Sequence, residues 1–320
     1  MKVVAGIAAI VLAATALQVS AQNYPSRPVR VIIAFPPGSA TDIIGRVISA
    51  KVSELWGQQA VPDNRGGAGG SIGSALTAKA NPDGYTLLIN SNAHVVNPSF
   101  YKTLPYNTLK DFTDIMPLVA QPNILVVTPG SKIKSVAEYI TEAKANPGKI
   151  NIAFAGPGSG THLNTEKFQF DAKIQYTLVA YKGSGEIFPD LLSGRVESYF
   201  APISAALPYI QAGKLRALGT TSAKRLSQLP NVPTIAEAGV PNFEFSLWFG
   251  LWGPAGIPGP VVSKIRKEFG AALADNAVRG KLSELGNEVM IMTPDQFRKT
   301  IVQQIEETRQ IFKAAGIEPQ

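Results

Sequence analysis

Apolar and polar positions alternate along this chain in two rhythms. Residues 29–35, apolar but for Arg30, read as a buried strand, and after a Pro-Gly turn Ile43, Ile44, Val47, Ile48, Val52 and Leu55 recur on one helical face. This is a βα unit. Residues 85–89 and 124–127 read as further strands, and Ser135 with Glu138 makes a capping box for a helix that ends before Asn146-Pro147-Gly148. The alternation then tightens, with strands over 150–155, 176–179, 197–200 and 215–220 and helices over 161–170, 187–192 and 205–212. Such a pattern predicts an α/β fold of parallel-rich sheets with helices on both faces.

The stretch 124–228 holds enough strand–helix pairs to be a domain, entered at Gln121-Pro122 and left through the Pro-rich residues 229–233. It reads as a lobe inserted into a first domain built from 22–123 and 229–320, which an amphipathic helix over 294–315 closes. Two chain crossings between two lobes make a hinge and a cleft. In α/β sheets ligands bind beyond the carboxyl ends of the strands, where loops enter helices.

Two loops sit at such places. Phe35-Pro36-Pro37-Gly38-Ser39-Ala40-Thr41-Asp42 and Gly156-Pro157-Gly158-Ser159-Gly160-Thr161-His162 are both Gly-bearing, with small hydroxyl residues just before a helix. With little side chain in the way, backbone N–H groups and the positive helix end can surround an anion. Neither loop carries the Lys-Ser/Thr ending of a phosphate loop or the G-x-G-x-x-G spacing, so a small carboxylate suits them better than a nucleotide.

Composition narrows the chemistry. The 320 residues are 45% apolar and 17% charged, a globular profile, and contain no cysteine, which removes disulfides, thiolate nucleophiles and Cys-based metal sites. Residues 1–21 differ from the rest: Lys2 precedes an almost wholly apolar run, and Val19-Ser20-Ala21 reads as a cleavage site, so a signal peptide is expected and an exported product with it. Only His94 and His162 are available as imidazoles, and no His-Glu-x-x-His string exists. The Ser131–Lys134 Ser-x-x-Lys string lacks partner motifs, and Ser159 is out of register for a Gly-x-Ser-x-Gly elbow. No catalytic residue, metal or cofactor is expected; a secreted enzyme acting on a small carboxylated substrate is the alternative. The net charge of +7 is scattered along the chain without an aromatic-basic strand motif, against nucleic-acid binding.

Taken in order, FPPGSATDIIGR (35–46), NRGGAGGSIGS (64–74), NPDGYTLL (81–88), NPSFYKTLPYNTLKDF (97–112), AKANPGKINIAFAGPGSGTHL (143–163), YKGSGEIFPDLLSGRVE (181–197), AGKLRALGTTSAKR (212–225) and LPNVPTIAEAGVP (229–241) carry a resemblance that covers essentially the whole chain after residue 21. The sequence resembles the Bug-type receptors, periplasmic solute-binding components of tripartite tricarboxylate transporters. The resemblance implies a type II periplasmic-binding fold that closes on a carboxylated metabolite and delivers it to membrane subunits, with the receptor itself expected as a monomer. Three positions depart from the family pattern: Ser39 replaces a usual glycine, Glu186 a proline and Ala201 an aspartate. The last removes a partner for an ammonium group, so plain organic acids, aromatic ones included, fit better than amino acids.

The candidate ligand-binding set is Phe35, Pro37, Gly38, Ser39, Ala40, Thr41 and Asp42 in the first loop, Ser91, Asn92 and His94 after the strand over 85–89, Gly158, Ser159, Gly160, Thr161 and His162 in the second loop, and Tyr181, Gly183 and Ala201 beyond it. For His162 the readings are loop support or ligand contact; for His94, cleft lining or simple loop capping.

Overall fold

The computed structural model describes residues 24–319, and the expected signal peptide over 1–21 lies outside them. The chain opens with β1 (Val29–Ile33), α1 (Ala40–Trp56) and β2 (Ala60–Asn64), followed by α2 (Ser71–Ala78), β3 (Thr86–Ser91) and α3 (Ala93–Phe100). The long β4 (Phe112–Val127) leads to α4 (Val136–Ala145), β5 (Asn151–Phe154), α5 (Gly160–Ala172), β6 (Thr177–Ala180), α6 (Ser184–Leu192), β7 (Ser198–Pro202), α7 (Ile203–Gln211) and β8 (Arg216–Thr220). It ends with β9 (Ser246–Pro254), α8 (Gly259–Ala274), α9 (Asn276–Glu284), β10 (Glu288–Val289) and α10 (Pro294–Ala314).

These strands form one curled sheet with two halves. In the first half β2-β1-β3 are parallel, then β9 and β4 follow antiparallel; in the second, β4 meets β7 antiparallel, and β7-β5-β6 are parallel. The parallel-rich expectation therefore holds for two blocks, joined by β4 and β9, which run against every neighbour they have. Residues 112–122 of β4 pair with β9 and residues 123–127 with β7, so a single strand belongs to both lobes.

Packing follows the strand's twofold alternation. Leu125, Val127 and Phe200 face α4 and α5, where Phe168 packs on Tyr139, Phe200 and Phe243; Ile124, Val126 and Tyr199 face α6 and α7. In α1 the buried Ile44, Ile48 and Val52 stand four residues apart, and in α10 Phe297, Ile301, Ile305 and Phe312 do the same work beneath a Thr293–Gln296 capping box. Residues 233–245, expected with the first lobe, hydrogen-bond to the end of β8 in the second. Thr220 N donates to Pro233 O, Ile235 N to Thr220 O, and Phe245 N to Thr221 O, while β9 begins one residue later on the other side.

Candidate functional site

The two glycine-bearing loops are built alike, one in each lobe. Gly38 takes φ +76 and Gly158 φ +74, left-handed values that only a residue without Cβ adopts readily. The next residue turns extended and caps the helix: Ser39 (φ −74, ψ 160) accepts from Asp42 N at 3.3 Å, and Ser159 (φ −75, ψ 162) from His162 N at 3.1 Å. The third helical residue then reaches back to the glycine. Asp42 Oδ2 accepts from Gly38 N at 3.0 Å, and His162 Nδ1 accepts from Gly158 N at 3.3 Å. One turn further on, a partner holds that residue: Arg46 Nε donates to Asp42 Oδ1 at 2.7 Å, and Glu166 Oε1 lies 3.4 Å from His162 Nε2.

Between the loops lies a cavity lined by Phe35, Ser39, Ala40, Thr41, Ser91, Ala155, Ser159, Gly160, Thr161, Ser184, Tyr199, Pro202, Leu247 and Phe249. No charged side chain is among these lining residues. Helix starts take their place. The first residues or caps of α1, α5, α6 and α7 line the wall, and Ser91 Oγ, which accepts from Ala93 N, brings in the start of α3. The caps of α6 and α7, Gly183 and Pro202, offer no side-chain acceptor to the first N–H groups of their helices. Each helix start carries about half a positive charge, so five of them favour an anion without a lysine or arginine.

Tyr199 adds a hydroxyl. It is fully buried, shares a hydrogen bond of 2.8 Å with Ser184 Oγ, and burial raises its pKa far above the ordinary tyrosine value, so it stays neutral and can donate. The remaining wall is apolar, with Phe35, Leu247, Phe249 and Pro202. The cavity volume is about 20 Å³, room for about one water, whereas pockets for small ligands run to ~300–1,000 Å³. A multi-carbon acid therefore needs a wider cavity than the one that stands here.

Of the residues singled out from sequence, Phe35, Ser39, Ala40, Thr41, Ser91, Ser159, Gly160 and Thr161 line this cavity. Gly38, Asp42, Gly158 and His162 shape the loops from behind, by the hydrogen bonds above. Pro37 is exposed; Gly183 packs toward Pro36 and Gly185 toward the Pro37 carbonyl at the seam between lobes. Asn92 faces Gly160 but opens onto a separate outer hollow with Trp248 and Gln304. Tyr181 turns away, donating to Asp190 Oδ2 at 2.8 Å, and Ala201 is buried in β7 beside Pro202. His94 lies in the core, not the cleft: it is wholly buried among Tyr106, Phe112 and Trp252, with Ser74 Oγ 3.3 Å from its Nδ1, and desolvation lowers its pKa to about 3. Sequence reasoning missed Ala155, Ser184, Tyr199, Pro202, Leu247 and Phe249. The strand-end rule, applied to the second lobe's strands, points to Ala155 and Pro202.

Two α/β lobes closing on an anion-receptive cavity define a solute-binding receptor of the periplasmic-binding class. Residues 44–317 match the profile of the Tripartite tricarboxylate transporter family receptor, and the chain belongs to that family. Protein BugT of Bordetella pertussis is 37% identical over 96% of this chain and 95% of its own. Among solved structures, R. palustris Rpa4515 with adipate shares 35% identity at TM-score 0.89, covering 93% of this chain and 100% of that one. MatC from Rhodopseudomonas palustris with bound malate shares 29% identity at TM-score 0.85, covering 90% and 99%. The protein is thus a solute-binding receptor of the periplasmic-binding type, a family of receptors and not of enzymes.

Proposed function

We propose that this receptor captures a small carboxylate, di- or tricarboxylic or aromatic, between its lobes and delivers it to the membrane subunits of a tripartite tricarboxylate transporter. The observation that carries this reading is the convergence of five helix starts on a cavity lined by hydroxyls, backbone and apolar groups and by no charged side chain. Adipate and malate in the two related structures fit the same chemistry. The hydroxyls of Ser39, Thr41, Ser159 and Thr161, with the helix-start N–H groups of Ala40, Thr41, Gly160 and Thr161, meet one carboxylate, the N–H groups of Ser39 and Ser159 being held by Pro36 O and Gly156 O; Ser91, Ser184 and Tyr199 serve the remainder of the ligand, and Phe35, Leu247 and Phe249 pack on its carbon skeleton. The working unit is a monomer exported by the segment 1–21, with its lobes divided at 122/123 and 245/246.

Capture proceeds by lobe rotation about the two crossings: the loops separate, admit the acid and settle on it. A thermal-stability screen of mono-, di-, tricarboxylic and aromatic acids, with the matching amides and amines, tests the reading. Acids should stabilise the protein, amides and amines should not, and mass analysis should return the stabilising acid unchanged. Stabilisation by amines alone, or turnover of the acid, would overturn it.

A further inference from the structure

The two cleft loops share one construction but differ in a single chemical choice. Behind the first loop the acceptor for the glycine N–H is a carboxylate, Asp42, held by Arg46; behind the second it is an imidazole, His162, held by Glu166. Both acceptors stand at the third position of their helix, and both holders follow four residues later. A carboxylate accepts through lone pairs alone, and aspartates as a class titrate well below imidazoles. An imidazole accepts on Nδ1 only as the Nε2–H tautomer, and loses that capacity when it takes a second proton.

His162 is also where the loop meets the other lobe. Its ring stacks on Phe154 of β5, with centroids 4.7 Å apart, and is met edge-on by Phe100 of α3 at 5.0 Å; Phe312 of α10 lies at 6.1 Å. Phe100 and Phe312 belong to the first lobe. The groups packed on the ring from β5, α3 and α10 are thus phenylalanines, and on its own helix Glu166 brings a carboxylate oxygen to 3.4 Å from Nε2. Tyr101, which stands beside Gly158, is engaged with the Pro157 carbonyl at 3.0 Å, and the buried Tyr176, near Glu166, donates to the Thr165 carbonyl. Both His162 and Glu166 are buried.

We propose that His162 is a positioning residue: held by Glu166 as the Nε2–H tautomer, it fixes the Gly158 N–H and with it the Ser159–Thr161 wall of the cavity, and its protonation loosens ligand capture. This rests on the carboxylate reading above. Protonated Nδ1 would point a second donor at Gly158 N–H, so the loop must shift. The first loop has no counterpart of this arrangement, because a carboxylate oxygen carries no ring N–H whose position decides whether it accepts.

The test uses the untagged protein, which contains only two histidines. Long-range proton–nitrogen NMR should show the Nε2–H tautomer for His162, its signals told from those of His94 by their loss in His162→Phe, and Gly158 amide exchange should quicken about tenfold in that variant, which keeps the ring and removes the acceptor. With adipate as probe, His162→Phe should bind about tenfold more weakly and His162→Asn, whose amide oxygen can accept in place of Nδ1, should recover most of that loss. Wild-type affinity should fall below the imidazole's own NMR midpoint, Glu166→Gln should move that midpoint, and the pH dependence should vanish in His162→Asn. An Nδ1–H tautomer, unchanged Gly158 exchange in His162→Phe, or a pH profile that persists in His162→Asn would overturn the proposal. Failure of the wild-type protein to bind adipate counts against adipate as its solute, and the tautomer and exchange measurements still decide the role of His162; should His162→Phe not fold, His162→Asn and the wild-type tautomer decide it.

Discussion

Replacing Gly160 with alanine should weaken ligand capture without weakening the fold. Gly160 opens α5 in an ordinary helical conformation, so a methyl group there is locally favourable, by up to about 1 kcal/mol in a helix interior and less at its first turn. The same methyl would come closer than 3.0 Å to Asn92 Oδ1 and to Leu247 Cδ1. Both belong to the first lobe, at the start of α3 and on β9. The obstruction therefore opposes the meeting of the lobes, not the folding of either one. Overpacking of one methyl costs about 1–3 kcal/mol, and since both struck atoms end movable side chains the lower half is expected, a loss of roughly 5- to 30-fold in affinity. Calorimetric titration with a stabilising acid reads the affinity, urea unfolding without ligand reads the fold, and solution scattering reads the separation of the lobes. Affinity within twofold of wild type, with the lobes as close as before, would refute the argument that backbone approach at Gly160 is needed for closure.

Three other outcomes follow from the same geometry. Ser159→Ala removes the cap of α5 and its contact with Thr161 Oγ1 at 3.1 Å; unfolding measurements should show a loss of about 0.5–2 kcal/mol, and titration a weakening of tenfold or less. Tyr101→Phe deletes the hydrogen bond from its hydroxyl to Pro157 O across the lobes, and affinity should drop about two- to tenfold while unfolding of the ligand-free protein changes little. His94 is buried neutral with its pKa lowered to about 3, so its share of stability is complete above about pH 6.5 and is lost as pH falls towards 3, at up to about 1.4 kcal/mol per unit. In His94→Phe that slope should disappear, and the stability gap to wild type should change in the variant's favour by up to about 3 kcal/mol between pH 7 and pH 4 in urea titrations.

Much of the second lobe was legible in the sequence because its βα units are short and cleanly punctuated. Prolines concealed much of the rest. Pro117 and Pro122 broke the reading of β4, which was seen only over 124–127, yet the strand tolerates Pro117 beside a register shift and Pro122 where it leaves one lobe for the other. Pro62 lies in β2, an edge strand, and Pro98 within the short α3. β9 is an unbroken apolar run, and its omission hid Leu247 and Phe249 on the cavity wall. The glycine loops were readable because backbone exposure before a helix has a compositional signature. The role of His94 was not: α3 is buried on nearly all sides, so no periodicity says which of its residues faces the cleft.

The joining of the lobes by one continuous strand limits how this architecture can vary. Pro122 pairs with Ser246 of the first lobe and Asn123, the very next residue, with Pro202 of the second. Because side chains alternate along a strand, adding or deleting one residue near this junction would invert one lobe's buried face relative to the other. The other connection, over 221–245, is irregular and bears no such parity. Drift in chain length is therefore absorbed more easily over 221–245 than at the Pro122–Asn123 junction, where an added residue keeps both buried faces only if β4 takes a further register shift like those it already has at 114–119.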